Sequence, residues 1–252
     1  MENKNFKIIY EDENLLAVDK PAGIIVFFES SDLPAENLAK TKDLEKEDKS
    51  LMDIVLKERP EIKNVGSPAR YGAIHRLDKD TSGIILIAKN NNSLIFFQKQ
   101  FQERKVEKKY IALATGVMKD DEGKIETLIG RSPKNRLKQK TYSLFSPEAK
   151  GKRIAITEYK VLENFKDYAL MEVVIRTGRK HQIRTHLAHI HHPIAGDKLY
   201  GFKNQPCPKE LKRQFLHAEY LKITMPDGKT REFKSELPEE LRNILKNLKK
   251  YD

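Results

Sequence analysis

The sequence predicts an α+β fold, with a mixed, largely antiparallel central sheet and flanking helices and loops. Two observations carry this. Segments with strand periodicity come in neighbouring pairs joined by short turns, the pattern of hairpins. Helical segments fall between those pairs rather than after every strand, which argues against a doubly wound fold. A third observation is permissive: 252 residues can bury a full core without staples.

In chain order, "FKIIYEDENLLAVDKPAGIIVF" reads as two or three short strands, with "EDEN" breaking the first pair and "KPAG" turning tightly before Ile24, Ile25 and Val26. Residues 29–50 are about half charged and nearly free of large apolar side chains, so they read as an exposed or mobile insertion rather than a domain. Ser50 and Asp53 have capping-box spacing, and Leu51, Ile54 and Val55 give the following helix an apolar face. Residues 84–88, "IILIA", read as a buried strand. "NNSLIFFQKQFQERKVEKKY" looks helical, with Leu94, Phe97 and Phe101 at spacings of three and four. "KYIALATG" alternates, with Tyr110, Ala112 and Ala114 on one side, as a strand requires.

Residues 131–140, "RSPKNRLKQK", hold five basic residues and no acid. "ITEYKVLENFKDYALMEVVIRTG" reads as a hairpin turning near Lys166 and Asp167, and "RKHQIRTHLAHI" as a helix. "ELPEELRNILKNLKK" closes the chain as an amphipathic helix, with Pro238 in its first turn and lysines at its end.

Composition narrows function. The chain has 48 Lys and Arg against 37 Asp and Glu, a formal charge of +11, which points to a polyanion such as nucleic acid. Cys207 is the one cysteine, so no intrachain disulfide can form, in keeping with a cytoplasmic setting. No stretch has the length and apolarity of a membrane span. There is no phosphate-cradling GxxxxGK[ST] or GxGxxG. Five of the seven histidines lie between 181 and 192, but no HExxH is present. They read as RNA contacts, turn contacts and a helix cap rather than metal ligands. No heptad array or unused apolar strip calls for a partner subunit, so a monomer is expected.

"HRLDKDTSG", residues 75–83, places an arginine, a lysine and two carboxylates just before a core strand. Far along the chain, Arg184 sits at the edge of the apolar face set by Ile183, Leu187 and Ile190. A half-buried guanidinium either snorkels outward or takes a bidentate carboxylate, and the opening loop offers one. An aspartate held ionised in that way can act as a nucleophile without a metal.

The motifs "HRLDKDTSGIILIAKN", "KKYIALATG" and "TGRKHQIRTHLAHIHHPIAGDKLYG" together resemble the RluA-like branch of the RNA pseudouridine synthases. "IIYEDENLLAVDKPAGIIV" and "FLHAEYLKI" with "FKSELPEEL" extend the likeness over nearly the whole chain apart from 29–50. The resemblance implies the pseudouridine synthase fold over residues 1–252 as one catalytic domain. It also implies isomerisation of uridine in ribosomal or transfer RNA, with no cofactor or metal.

By the motif match, Asp78 is the catalytic aspartate, open to attack on either the ribose carbon or the uracil ring. Asp80 is a loop-structuring acid. Arg184 matches the arginine that pairs with the catalytic carboxylate, and Tyr110 the tyrosine that packs on the uracil. Arg76 matches a position that enters the space left by the flipped base; alone it would read as a phosphate contact. Thr81, Ser82 and Gly83 shape the turn that presents Asp78.

Two departures stand out. The family usually has glycine where His191 precedes His192. The chain also enters the catalytic pattern within its first ten residues, so no separate N-terminal RNA-binding module is expected. A competing reading is a silent RNA-binding or ribosome-assembly factor on the same fold. The intact set of Asp78, Tyr110 and Arg184 argues against it, because a binder needs no nucleophile.

Overall fold

The computed structural model describes residues 6–28 and 49–250. Among them are ten strands and four α-helices, and the strands pair largely antiparallel, as the α+β reading requires. All but the last two residues of the charged stretch 29–50 lie outside the described residues. The chain divides into two compact units. One comprises Met1–Val106 with Lys222–Ser235, the other Glu107–Leu221 with Glu236–Asp252.

In the first unit, β1 (Lys7–Glu11) pairs with β2 (Leu15–Lys20), and β2 with β3 (Ser82–Ala88). Every residue of β3 is buried, as are Leu15, Leu16, Ala17 and Val18 of β2. Both strands are covered on both faces, which is why they read as continuous apolar runs rather than alternations. Helix α1 (Leu51–Glu58) starts on the expected capping box: Ser50 Oγ accepts the Asp53 N–H at 3.2 Å, and the Asp53 carboxylate accepts the Ser50 N–H at 2.8 Å.

No strand forms at Ile24–Val26, contrary to one form of the sequence reading. The carbonyls of Ile25 and Val26 instead accept the N–H groups of Leu51 and Met52, at 2.8 and 3.0 Å. Those are first-turn amides that have no partner within a helix, and the segment is spent on satisfying them. Helix α2 (Asn91–Gln102) stops earlier than its polar continuation suggests. Arg104 adopts φ +59, and the Lys105 N–H closes back on the Gln100 carbonyl at 2.9 Å, a left-handed C-terminal cap.

In the second unit, β4 (Glu107–Thr115) pairs with β8 (Tyr168–Ile175), and β8 with β7 (Arg153–Asn164), the expected hairpin. Strand β7 pairs with β5 (Glu122–Arg131), and β5 with the short β6 (Gln139–Tyr142). The basic stretch 131–140 is therefore the β5–β6 hairpin. Helix α3 (Gln182–His189) forms as read. Strand β9 (Leu216–Thr224) begins in this unit and ends in the first, where it leads into β10 (Thr230–Lys234). The closing helix α4 (Glu239–Lys246) has Pro238 as its N-cap, one position before the first turn.

Candidate active site

Asp78 lies in the first unit, half-buried on the loop that feeds β3. Its carbonyl accepts the Thr81 N–H at 3.1 Å, closing a turn over buried Thr81 and Ser82. Gly83 follows at φ +118, a conformation other residues rarely adopt, directly opposite Lys20 in the β2–β3 register.

Lys20 is the residue that sequence reading missed here. Its side chain is fully buried, and its Nζ donates to the carbonyls of Pro21 and Ile24 at 2.8 Å and of Lys79 at 3.0 Å. The Lys79 carbonyl also accepts the Gly23 N–H at 2.9 Å. An ammonium has three donors, and these carbonyls use them to bind the "KPAG" turn to the residue next to Asp78. The position of Asp78 is thus set by a buried cation that a periodicity reading assigns to a strand end.

His75 accepts the Leu86 N–H on Nε2 at 3.1 Å, which leaves a neutral ring's proton on Nδ1, and its ring stacks on Phe101 at 4.9 Å. The Arg76 guanidinium stands 5.2 Å from the centre of the buried Phe27 ring, which Arg70 also covers.

Tyr110 and Arg184 lie in the second unit. Tyr110 is buried on β4 opposite Val173 of β8. Arg184, on α3 beside buried Ile183 and Leu187, does not snorkel. It forks onto Asp197, with Nε to Oδ2 at 2.7 Å and Nη2 to Oδ1 at 2.9 Å. The two side chains are 9% and 0% exposed. Asp197 Oδ1 also accepts the N–H groups of Leu199 and Tyr200. Burial alone would raise the pKa of Asp197; the Arg184 hydrogen bonds and charge, with those two amides, outweigh it and hold the carboxyl below its ordinary range. Gly196 makes the turn possible at φ +75, where a Cβ would run into the Arg213 carbonyl.

The Tyr200 ring lies 5.1 Å from the Arg184 guanidinium. Its hydroxyl accepts the Gln139 N–H at 2.7 Å and meets His181 Nδ1 at 2.9 Å. The other histidines of 181–192 disperse onto oxygen partners or the surface. His186 contacts Thr127 and Thr157, His189 contacts Thr141, and His192 contacts the Thr115 carbonyl. His191 lies exposed beside Phe202.

The structure thus places Asp78 and Arg76 in one unit and Tyr110 and Arg184 in the other. Within the second unit it gathers Arg184, Asp197, Tyr200 and His181. A family model described as RNA pseudouridylate synthase matches residues 14–189, a span that includes Arg76, Asp78, Tyr110 and Arg184.

The chain belongs to the RNA pseudouridylate synthase family.

An uncharacterized RNA pseudouridine synthase of Aquifex aeolicus is 41% identical over 212 residues, covering 83% of this chain and 60% of that protein. Ribosomal large subunit pseudouridine synthase D of Neisseria meningitidis (strain Z2491) is 37% identical over 254 residues, covering 96% of this chain and 61% of that protein. The chain therefore spans about three fifths of the length of these relatives. Among solved structures, human RNA pseudouridylate synthase domain containing 4 matches with a TM-score of 0.71 at 22% identity, over 98% of this chain and 95% of that one. Human RNA pseudouridylate synthase domain containing 1 matches at 0.69 and 23% over 100% of both chains. These likenesses establish a shared fold.

In this member of the RNA pseudouridylate synthase family, the residues that sequence reading passed over are Lys20, Asp197 and Tyr200. Asp197 and Tyr200 stand in "AGDKLYG", where an aspartate after glycine reads as a turn residue. The usable signal was Arg184 itself, a half-buried guanidinium requiring a carboxylate from somewhere.

Proposed function

We propose that the chain isomerises uridine in RNA to pseudouridine, with Asp78 as the nucleophile on a base turned out of its stack. The bond from ribose C1′ to uracil N1 breaks, the uracil turns, a bond forms from C1′ to C5, the C5 proton leaves to solvent while N1 takes one up, and the bond made by Asp78 is broken again, which frees the carboxylate. Extruding the base costs a few kcal/mol of stacking. By the motif match, Arg184 is the arginine that pairs with the catalytic carboxylate, Tyr110 packs on the uracil, and Arg76 fills the space the base vacates. Large-subunit ribosomal RNA is the favoured substrate, because the Neisseria, Nitrosomonas and Pseudomonas relatives are named for that subunit. The two units act together as one catalytic domain, in a cytoplasmic monomer.

The observation that carries the reading is Asp78 itself. It is a carboxylate within the family-matched span, on a turn fixed by a fully buried lysine and followed by a wholly buried strand. Such a loop is not a solvated surface turn.

The test is Asp78→Asn, assayed by tritium release from a transcript of bacterial large-subunit ribosomal RNA carrying 5-tritiated uridine. The variant is expected to bind the transcript as the parent does and to release tritium only at background. Turnover near the parent's rate would overturn the assignment of Asp78. A parent that binds but never releases tritium would favour a silent RNA-binding factor.

A further inference from the structure

The β5–β6 hairpin presents its charges from an ordered turn. The Ser132 N–H donates to the Lys138 carbonyl at 3.0 Å, and Asn135 Oδ1 accepts the Leu137 N–H at 2.9 Å. Arg131, Lys134, Arg136 and Lys140 are exposed, and Leu137 stands 72% exposed among them. At the foot of the hairpin, Lys140 Nζ and Lys152 Nζ stand 4.8 and 5.0 Å from the centre of the Tyr142 ring. With no acid in 131–140, the surface suits a run of phosphates.

The base of this hairpin is tied to the arginine site. Gln139, the first residue of β6, donates its N–H to the Tyr200 hydroxyl at 2.7 Å, and Lys138 Nζ stands 5.8 Å from the same ring. That ring lies 5.1 Å from the Arg184 guanidinium, and the Tyr200 N–H donates to Asp197 at 3.0 Å. One residue thus touches the hairpin through its hydroxyl and the Arg184–Asp197 fork through its ring and backbone.

We propose that the β5–β6 hairpin is an RNA-docking element and that Tyr200 is a positioning residue coupling its placement to Arg184. The proposal rests on the isomerase reading for its substrate. Phosphates held at 131–140 fix the hairpin, the hairpin fixes the Tyr200 hydroxyl, and the ring fixes the guanidinium. An enzyme so built reaches its best geometry at Arg184 only when RNA reaches well beyond the target uridine.

The test is a double-mutant cycle with three variants: Lys134→Glu with Arg136→Glu on the exposed tip, Tyr200→Phe, and all three together. Each is measured for Kd and for kcat/KM on the tritiated ribosomal transcript. The charge reversal is expected to weaken binding at least about tenfold near 0.1 M salt and to flatten the plot of log affinity against log salt by about two. Tyr200→Phe keeps the ring on Arg184 and removes only the hydroxyl. It is expected to lower kcat several-fold while raising KM less, a split that a purely structural tyrosine would not produce. The combined variant is expected to lose less than the product of the separate losses.

Parent-like RNA affinity and salt slope in the charge-reversal variant would overturn the docking role, and would leave the surface to an acidic protein partner. Losses that simply multiply would overturn the coupling. If the parent releases no tritium from any transcript, the isomerase reading fails separately, and the cycle closed on Kd still decides docking and coupling.

Discussion

Arg184 reaches 9% side-chain exposure because Asp197, at 0%, neutralises it in a two-pronged geometry. Removing Asp197 takes from the buried guanidinium a full charge and two short hydrogen bonds. Asp197→Ala is therefore expected to destabilise the protein by about 3–5 kcal/mol, read from urea unfolding midpoints; a change under about 1 kcal/mol would show that solvent reaches the guanidinium. Sequence reading recovered the demand of Arg184 for a carboxylate but not Asp197, because the answer lies past the end of a helix, in a turn that brings it back. Lys20 was hidden for the same reason, since its three carbonyls come from two loops that meet only in the folded chain.

His191 was visible as a departure from the family's glycine, and the structure explains that glycine. His191 follows the end of α3 at φ +66; its N–H donates to the Ala188 carbonyl at 3.2 Å and that of His192 to Leu187 at 2.9 Å, a left-handed cap where a Cβ is unfavourable. His191→Gly relieves that strain but frees the unfolded chain, so a net gain of about 0.5–1 kcal/mol is expected by thermal or urea unfolding. A loss would mean that the imidazole's contact with Phe202 outweighs the strain.

One imidazole of helix α3 reaches both β5 and β7. His186 is fully buried, with Nε2 3.0 Å from Thr127 Oγ1 and Nδ1 2.8 Å from Thr157 Oγ1. Burial, reinforced by the neighbouring His189, pushes its pKa from 6.5 down to about 4. The folded state thus binds the proton less readily than the unfolded chain. The stability tied to a neutral His186 is fully present above about pH 6.5 and is lost as pH falls through about 4. The whole effect is of order 3 kcal/mol. His186→Gln is expected to flatten unfolding free energy against pH between about 6.5 and 5, above the range of ordinary carboxylates; an unchanged slope would place the ring in water.

At this scale periodicity served well where an element packs one face or is apolar throughout, as in α1, β3 and the β7–β8 hairpin. It failed where hydrogen bonding overrode the pattern. Ile24–Val26 has strand-like side chains, but the Ile24 carbonyl serves Lys20 and those of Ile25 and Val26 serve the start of α1. The polar residues after Gln102 fit a helix as well as a loop, and the left-handed Arg104 decides between them. Strands β5 and β6 carry too many charges for a core pattern, so their hairpin showed in the sequence only as a basic run.

The whole chain's surplus of 48 Lys and Arg over 37 Asp and Glu bears on association rather than on fold. Some cations are taken up internally. Arg184 serves Asp197, Arg213 serves Glu240, and Arg59 and Lys89 share Glu11, whose pKa the hydrogen bonds from Arg59 and then Lys89 bring down to about 2. The cations of the β5–β6 hairpin are exposed by comparison. If RNA is held through them and their like, each phosphate met releases a counterion, and affinity must fall steeply with salt. Between about 50 and 200 mM monovalent salt, Kd for the ribosomal transcript is expected to rise by about a thousandfold or more, the response of six or more phosphate contacts. Asp78→Asn should follow the same slope, because it removes no cation, while losing turnover; binding and isomerisation are then separable in one experiment. A rise of less than about tenfold would mean that the positive surplus does not hold the RNA, and that recognition rests on base contacts at the site itself.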